Sequence, residues 1–216
     1  MKVSSLLALI CLLIAAPGMA QKKLSEGTIS YDIVINTGSD KPRAEDFLDG
    51  ATSTVYLKGS KSRTEMVSSL GTQATIIDGA KNTIAVLKEY GEQKYLIQLT
   101  PPEFKEINSK YESVSFNFLD DTKTILGYKC KKAIGKLSDG TSFVVWYTTD
   151  LVPENKEFQY ANKSLPGLAM EYESSFGNLK VTYTVSKINL NPVPASKFDL
   201  PKSGYRVMTY QESKGQ

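Results

Sequence analysis

Apolar and polar residues alternate along short segments of this chain, a pattern typical of β-strands with one buried face. The two clearest segments are residues 28–36 (TISYDIVIN) and residues 179–188 (LKVTYTVSKI). Weaker alternation occurs at residues 53–58, 62–67, 73–78, 82–88, 93–99, 112–118, 128–137, 141–148 and 167–174. The chain is therefore predicted to be mainly β.

The alternation also predicts which side chains are buried. Ile33 and Val181 occupy the apolar face of their segments, whereas Asp32 and Thr182 occupy the polar face. Because successive strand residues point to opposite faces, we expect the first pair to face the core and the second pair to face away from it.

Turn residues separate the segments. Gly59-Ser60, Asp139-Gly140 and Gly177-Asn178 each lie between two segments, and Asp78-Gly79 precedes another. Asp-Gly is among the strongest short-range hairpin signals. Strands joined by such turns predict a single curved antiparallel sheet, an unclosed, half-barrel-like meander of about ten strands.

Two segments favour helix. Thr100-Pro101-Pro102-Glu103 combines an N-cap residue, prolines in the first turn and a glutamate at the capping-box position. This pattern predicts a helix through about residue 110, with Phe104 and Ile107 on one face. A weaker candidate is residues 41–48. We therefore expect one or two short helices that lie over the open side of the sheet.

The N-terminus predicts export. Lys2 is followed by an apolar run at residues 6–16 and then by small residues, the arrangement of a cleaved signal peptide. The run is shorter than the roughly 20 apolar residues that span a bilayer, so no integral membrane protein is expected. The prediction is a signal peptide over residues 1–20, one β-rich envelope domain over residues 21–216, and a location in the periplasm or outside the cell.

The composition disfavours several classes of chemistry. The chain has no histidine, which removes His-based triads, the commonest general base and a common zinc ligand. Its 26 Lys and Arg nearly balance its 23 Asp and Glu, so no nucleic-acid partner is expected. It also has no glycine-rich phosphate loop, serine elbow or Cys-x-x-Cys pair. We therefore expect no enzymatic activity, no cofactor and no metal.

The two cysteines are expected to differ in role. Cys11 lies inside the predicted signal peptide, and Ile10 before it is not the small residue that a lipoprotein signal needs. Lysines flank Cys130 and would lower the pKa of a reactive thiol. The alternation instead places Cys130 on the face of Tyr128 and Ile134, which favours a buried, free, structural cysteine.

Four other features each allow two interpretations, one as a chemical site and one as ordinary structure. Glu171 and Glu173 share a strand face and suit a cation, but a solvated face is favoured because no further oxygen ligands lie nearby. Asp120-Asp121 resembles a turn rather than a ligand pair. Residues 162–164 (NKS) match the N-glycosylation pattern, which matters only in a eukaryotic secretory pathway. Trp146 is predicted to be a core residue, with cavity lining left open.

Three stretches carry a family resemblance. Residues 165–168 (LPGL), between Ser164 and Ala169 and followed by 170–173 (MEYE), resemble the motif of the GLPGLI family of bacterial envelope proteins. The other stretches, similar to that family or to neighbouring families of unknown function, are residues 125–133 (ILGYKCKKA) with 145–150 (VWYTTD), and residues 198–201 (FDLP) with Gly204-Tyr205. The resemblance covers residues 125–206. It implies the unclosed antiparallel barrel of periplasmic lipoprotein-carrier proteins, and it transfers no catalytic residue.

Two functions follow as hypotheses. The favoured one is a periplasmic protein that binds or carries an apolar ligand, a lipid or a lipoprotein acyl chain, on the concave face of the half-barrel. The alternative is a structural or protein-interaction module of the envelope that has another envelope protein as its partner and no small ligand. A continuous apolar cavity under the helix near residues 101–110 would favour the first. The predicted ligand-contacting and lid residues are Ile29, Tyr31, Tyr95, Ile97, Phe104, Ile107, Phe116, Phe118, Met170 and Tyr172.

Overall fold

The computed structural model of the protein describes residues 21–36, 50–176 and 179–215. Three predicted features lie outside these residues, namely the signal peptide at 1–20, the helix at 41–48 and the turn at 177–178. Within the described part of the chain, no helix is long and apolar enough to cross a membrane.

Strands dominate the described residues. They are β1 (Lys22–Leu24), β2 (Glu26–Asn36), β3 (Thr52–Lys58), β4 (Lys61–Ser68), β5 (Gly71–Asp78), β6 (Thr83–Tyr90), β7 (Gln93–Leu99), β8 (Ser115–Ile125), β9 (Tyr128–Lys136), β10 (Ser142–Thr148), β11 (Leu151–Pro153), β12 (Leu168–Phe176), β13 (Leu179–Asn189) and β14 (Arg206–Met208). The α-helices are α1 (Pro101–Ile107) and α2 (Tyr210–Ser213), and 3₁₀ turns occur at Ser109–Tyr111, Glu157–Asn162 and Ala195–Phe198.

Twelve of the strands form one sheet, in the order β14-β7-β6-β5-β4-β3-β2-β13-β12-β10-β9-β8. Its neighbours are antiparallel except for the edge pair β7 and β14, which is parallel. The edges, β8 and β14, do not pair with each other, so the sheet is unclosed. β1 and β11 form a separate parallel pair. The predicted mainly β fold with one large open sheet and few short helices is confirmed.

The hairpin turns follow the predicted turn chemistry with one exception. Gly59-Ser60 joins β3 to β4, and Asp139-Gly140 lies between β9 and β10. The prediction that Asp120-Asp121 forms a turn is wrong, because both residues lie within β8 where its register with β9 shifts. The actual turn is Leu126-Gly127, whose positive φ angles of 47° and 81° fit a type I′ hairpin.

The register assigns side chains to two faces, because directly paired residues point to the same side of a sheet. We call the face that carries Ile33 the inner face. Ile33 and Val181 are 3% and 1% exposed, while Asp32 is exposed and Thr182 is half-buried on the opposite face. The predicted orientation of both strands is confirmed.

The chain itself covers the centre of the inner face. Residues 154–167, which we call the crossing segment, connect β11 to β12 and contain the 3₁₀ turn Glu157–Asn162. Phe158 of this segment packs against the central cluster that contains Ile29, and Leu165 packs fully buried against the cluster around Val145. β1 and β11 add Leu24 and Leu151 to the central cluster, both at most 2% exposed.

Helix α1 begins where its sequence predicts. The Thr100 hydroxyl accepts the Glu103 backbone N–H at 3.4 Å, and the Glu103 carboxylate accepts the Thr100 backbone N–H at 2.8 Å. These two bonds form the expected capping box. The α-helix ends at Ile107, and the 3₁₀ turn Ser109–Tyr111 follows it. The predicted helical segment to about residue 110 is therefore present, but its last part is a 3₁₀ turn rather than α-helix.

The outer face is covered at one end by the chain after β13. Val193 and Phe198 pack on the outer side of β5 to β7. The Lys58 ammonium donates to the Val193 carbonyl at 3.0 Å, and the Glu26 carboxylate accepts the Val193 N–H at 2.7 Å. The Tyr205 hydroxyl donates to the Glu89 carboxylate. These polar contacts fix residues 190–205 to the sheet.

Candidate ligand-binding site

The sequence-predicted ligand residues divide into three groups. Ile29, Tyr31 and Met170 lie in the central cluster and are at most 2% exposed. The Tyr31 hydroxyl donates to the Ala169 carbonyl at 3.0 Å, and burial raises the pKa of Tyr31 well above its ordinary value. The protein's own side chains therefore fill the centre of the predicted ligand-binding face.

A second group lies where β6 and β7 approach α1. Ile97 is 4% exposed in a cluster against which Tyr95 and Phe104 pack, partly buried. Ile107, predicted to share the lid face with Phe104, is instead 49% exposed. It lies in the last turn of a seven-residue helix that has no buried residue. Ile107 therefore does not pack on the sheet beside Phe104, and its role in a ligand lid stays a prediction.

The cavity under α1 is not a continuous apolar space. It measures about 360 Å³, and its lining mixes apolar residues such as Ile84 and Phe104 with charged ones such as Lys105 and Glu112. Lys105 and Glu112 form an ion pair at 3.1 Å, and the Tyr160 hydroxyl donates to Glu112. The feature expected to favour an acyl-chain carrier is therefore not found under this helix.

The third group is an aromatic cluster at the edge of the sheet. The Phe116 ring lies 6.3 Å from the Phe118 ring and 6.0 Å from the Phe143 ring, and Phe118 lies 5.6 Å from Tyr147. Phe118 is 50% exposed on edge strand β8. A Cβ on Gly135, between these rings, would meet Phe143 at 2.3 Å, so glycine is what lets the rings pack on the sheet.

Tyr172, the last predicted residue, belongs to a different feature. Its ring stacks on Tyr183 at 4.8 Å and meets Tyr31 edge-on at 5.8 Å. Its other side borders a groove of about 300 Å³ that we call the Asn162 groove. Burial is the main cause that raises the pKa of Tyr172, so the phenol is neutral at ordinary pH.

The Asn162 groove joins three parts of the chain at one end of the inner face. The sheet contributes Phe143, Tyr172 and Ser174 of the inner face, and Glu173 and Lys180, which the register places on the outer face, border the groove at its edge. The β9–β10 hairpin contributes Leu137, Asp139, Thr141 and Ser142, and the facing wall is Lys110, Tyr111, Ala161 and Asn162. The groove thus has aromatic rings, hydroxyls and an amide around one opening, with charged side chains at its edges.

Two carboxylates of the groove are positioned by backbone donors. Glu173 accepts the Val144 N–H at 3.1 Å, and Asp139 accepts the Thr141 N–H at 2.8 Å. The Thr141 bonds lower the pKa of Asp139 below its ordinary value. Both carboxylates keep acceptor capacity beyond these bonds, because an ionised carboxylate has about four acceptor sites.

Unpartnered buried polar atoms in the described chain fall within the crossing segment. They are Asn155 Nδ2, Gln159 Oε1 and Asn162 Oδ1. Gln159 and Asn162 are 8% and 2% exposed, and only Asn162 of these three residues lines the groove. A buried polar atom without a partner costs free energy, so these three amides lower the stability of the crossing segment.

The other sequence candidates have structural roles. Cys130 is a free, fully buried cysteine, and burial raises its pKa to about 11, which agrees with the prediction of a buried structural cysteine.

Glu171 and Trp146 share one partner. The Glu171 carboxylate forms an ion pair with the Lys123 ammonium at 2.6 Å, and that ammonium also lies 4.6 Å from the centre of the Trp146 ring. Trp146 is half-buried: it packs against the central cluster and lies under the Lys123 ammonium, so it is at the margin of the core. Among the described residues no cluster of metal-ligating side chains occurs.

Sequence reasoning missed most of the groove. Asn162 stands out in the sequence only as part of a glycosylation pattern, and its burial makes it a poor acceptor for that modification. A usable signal is present between β10 and β12, where a long stretch without alternation carries Asn155, Gln159 and Asn162. Long connections in compact domains are uncommon and are often functional.

Solved structures similar to this chain share little of its sequence. The structure of PNGF-II in the P21 space group is 12% identical, with a TM-score of 0.49 over 88% of this chain, and this chain spans 33% of that one. An uncharacterized conserved protein from Thermus thermophilus is 9% identical, with a TM-score of 0.48 and coverage of 84% of this chain and 90% of that one. LprF from Mycobacterium bovis is 10% identical, with a TM-score of 0.33 and coverage of 78% and 88%.

No curated protein is significantly similar to this chain. The resemblance of residues 164–169 to the GLPGLI motif finds no support in the family match and stays a prediction. Residues 51–212 match the family described as N-glycanase peptide, N-terminal domain, over well more than half of the sequence. The chain therefore belongs to the N-glycanase peptide N-terminal domain family.

Proposed function

We propose that this protein is a non-catalytic binding module, exported to the cell envelope, that takes its ligand in the Asn162 groove. The observation that carries the proposal is the contrast between two parts of the inner face. The centre is filled by the chain itself, with Ile29 and Met170 fully buried, whereas the groove beside Phe143 and Tyr172 is open.

Export and the absence of catalysis rest on the sequence. The N-terminal apolar run favours a signal peptide, and a chain without histidine or a nucleophile motif favours a binding role. The family is named for an N-glycanase peptide, and we propose for this chain no glycanase activity of its own.

Apolar-ligand carriage is the second candidate, favoured by one observation. Phe118 lies on edge strand β8, is half exposed, and contacts the rings of Phe116 and Tyr147, so an acyl chain could pack on aromatic surface at this edge. Such a ligand would gain roughly 0.8 kcal/mol for each buried CH₂ group. Entry to the centre of the inner face would require the crossing segment to leave Ile29 and Met170.

A titration with a fluorescent long-chain fatty acid separates the two candidates. We expect neither the wild type nor the Phe104→Ala/Ile107→Ala double variant to bind the probe, because the space beneath α1 is small and charged. Binding by the wild type that rises in the double variant and is lost in Phe118→Lys would overturn the proposal in favour of the carrier. Native mass spectrometry of the protein purified from the envelope of the cells that naturally make it tests the same point independently, and we expect it to detect no bound lipid.

A further inference from the structure

We infer that a second copy of this chain pairs with edge strand β8, so that two twelve-stranded sheets join across a two-fold axis at Asn117. The inference is independent of the Asn162 groove and goes beyond the proposed function. It rests on three features of residues 113–119, namely their open edge, their symmetry about Asn117 and the charges that flank them.

Strand β8 has an open edge that is long and only partly protected. In the described part of the chain it ends the sheet, it has 11 residues, and Phe118 on it is 50% exposed. Natural proteins protect such edges with bulges, charged residues, proline or short strands, and β14 at the other end has only three residues. On β8 the irregular register and the acidic pair Asp120-Asp121 protect only the middle of the strand. Residues 113–119 contain no charged residue and no proline.

The unprotected stretch is symmetric about Asn117. Phe116 and Phe118 flank this residue and lie on the inner face, because they pair with Gly135 and Ala133 of β9. When two antiparallel copies of the strand pair about Asn117, Phe116 of each copy lies opposite Phe118 of the other. Aromatic residues that lie directly opposite each other stabilise antiparallel pairs. The second copy would therefore cover the exposed Phe118 ring and merge the two aromatic clusters.

Charge favours this register over the other symmetric one. Pairing centred on the acidic pair would place Asp120 opposite Asp121 of the second copy, and like charges that lie directly opposite each other are destabilising. Pairing about Asn117 instead places Asp120 opposite the uncharged Val114 of the second copy. The centre at Asn117 is therefore the favourable one.

The residues before β8 present a positive charge where the acidic pair of the second copy arrives. Lys110 is exposed in the 3₁₀ turn that precedes the strand. Glu112, the acidic residue nearest to it in sequence, forms an ion pair with Lys105 at 3.1 Å. Complementary charges at the rim of an interface favour the correct partner and register.

The interface is small, because each copy contributes one short stretch of strand and two aromatic rings. Interfaces of this size are typical of reversible complexes. We expect a dimer with a dissociation constant on the order of 1–100 μM.

Sedimentation equilibrium of residues 21–216 without any lipid probe tests the dimer. Phe118→Lys places a charge at the aromatic contact twice across the two-fold axis, so we expect it to raise the dissociation constant at least about tenfold. Val207→Lys is the matched control, because Val207 is 63% exposed on the opposite edge strand β14. We expect this variant to dimerise within about twofold of the wild type.

Disulfide cross-linking tests the register and does not depend on the Phe118 variant. Asn117→Cys puts an exposed thiol on the proposed axis, where directly opposite Cα atoms are about 4.5–5.5 Å apart, within the range of a disulfide. Ser115→Cys is the control on the same strand face, because its two copies would be roughly 14 Å apart. The native Cys130 is fully buried and does not compete. We expect mild oxidation to cross-link Asn117→Cys and leave Ser115→Cys monomeric on a non-reducing gel.

Three results would overturn the inference. The first is a wild type that stays monomeric well above the expected range of dissociation constants. The second is a dimer that Phe118→Lys leaves intact or that Val207→Lys disrupts. The third is equal cross-linking of Asn117→Cys and Ser115→Cys. None of these results bears on ligand binding in the Asn162 groove, so the inference and the proposed function fail separately.

Discussion

The Tyr31 hydroxyl donates a buried hydrogen bond to the Ala169 carbonyl, 138 residues further along the chain, at 3.0 Å. Tyr31 lies on β2 and Ala169 on β12, and β13 lies between these strands in the sheet. The bond therefore spans a neighbouring strand on the inner face. Beside it, the Tyr172 ring contacts the rings of both Tyr31 and Tyr183.

Loss of the Tyr31 hydroxyl should destabilise the protein. Tyr31→Phe keeps the ring and removes the donor to a buried carbonyl, so we expect the free energy of unfolding to fall by about 1–3 kcal/mol. Urea denaturation checks this value. Tyr90→Phe, at a position 39% exposed, is the matched control and should change it by less than about 0.5 kcal/mol. A Tyr31 variant as stable as that control would contradict the role of the bond.

Gly167 should tolerate no side chain. A Cβ at this position would lie 1.8 Å from the carbonyl oxygen of buried Thr148, which cannot move without breaking the strand. We expect Gly167→Ala to cost at least about 2 kcal/mol in unfolding free energy or to prevent folding. Gly79→Ala, where the nearest atom lies at 3.3 Å in an exposed turn, is the control and should remain folded with a smaller loss in the same urea experiment.

The Cys130 thiol should react only after unfolding. It is fully buried and its pKa is raised to about 11, so at pH 8 it is protonated as well as inaccessible. For residues 21–216 we expect one thiol per chain to react with Ellman's reagent in 6 M guanidinium, a standard denaturing concentration, and almost none in the native state. Cys130→Ser should cost about 1–3 kcal/mol. Rapid reaction of the native protein would show an exposed thiolate.

Acid should release residues 190–205 from the outer face. The Tyr205 hydroxyl and Lys94 hold the pKa of Glu89 below its ordinary value, and Lys58 with the Val193 N–H does the same for Glu26. A lowered pKa in the folded state gives stability that is present above the ordinary value of 4.5 and is lost as pH falls through the lowered value.

The measurement for this acid effect is NMR of assigned backbone amides between pH 6 and pH 3. The Val193 and Phe198 signals should shift or broaden below about pH 4.5, while the Ile29 amide in the central cluster stays native. Glu89→Gln should shift Phe198 less on acidification than the wild type does, because the titrating group is gone. A simultaneous change at Ile29 and Phe198 would indicate global unfolding instead.

The register of β2 predicts opposite outcomes at adjacent positions. Ile33→Asp places a charge in a core position that is 3% exposed and should unfold the protein. Asp32→Ala changes an exposed side chain on the other face and should alter the unfolding free energy by less than about 1 kcal/mol. Circular dichroism and urea denaturation check both. Equal tolerance at the two positions would refute the assigned register.

Local pattern was enough to predict most of the sheet. Alternation located β2 and β13 because each has one buried face over many residues, and capping chemistry located α1. It did not locate β1, β11 or β14, since three-residue strands are too short for a period and their parallel partners lie far away in sequence. The irregularity in β8 resembles a turn in sequence, because Asp120-Asp121 has turn chemistry while the pairing that makes it part of a strand is not local.

The candidate site was less predictable for a physical reason. The register places Tyr31 and Phe118 on the predicted common face, but alternation cannot tell whether another part of the chain covers that face. Here the crossing segment covers the centre of that face, and the Asn162 groove stays open at one end of it. The crossing segment is held there because Phe158 and Leu165 pack on strands that are remote in sequence, and nothing in the local sequence around these two residues specifies those partners.

The pairing of β2 with β13 has a consequence for how the protein folds. Residues 26–36 are synthesised early, yet one edge of this strand has no partner until residues 179–189 are available. The meander from β2 to β7 can form by local hairpins, whereas the union of the two halves needs contacts between distant residues and should be the slow step. Until then the unpaired edge of the Ile-rich strand β2 is where two newly made chains would pair with each other in error. A mutation that slows folding of the second half should therefore lower the yield of soluble protein even if it leaves the stability of the folded protein unchanged.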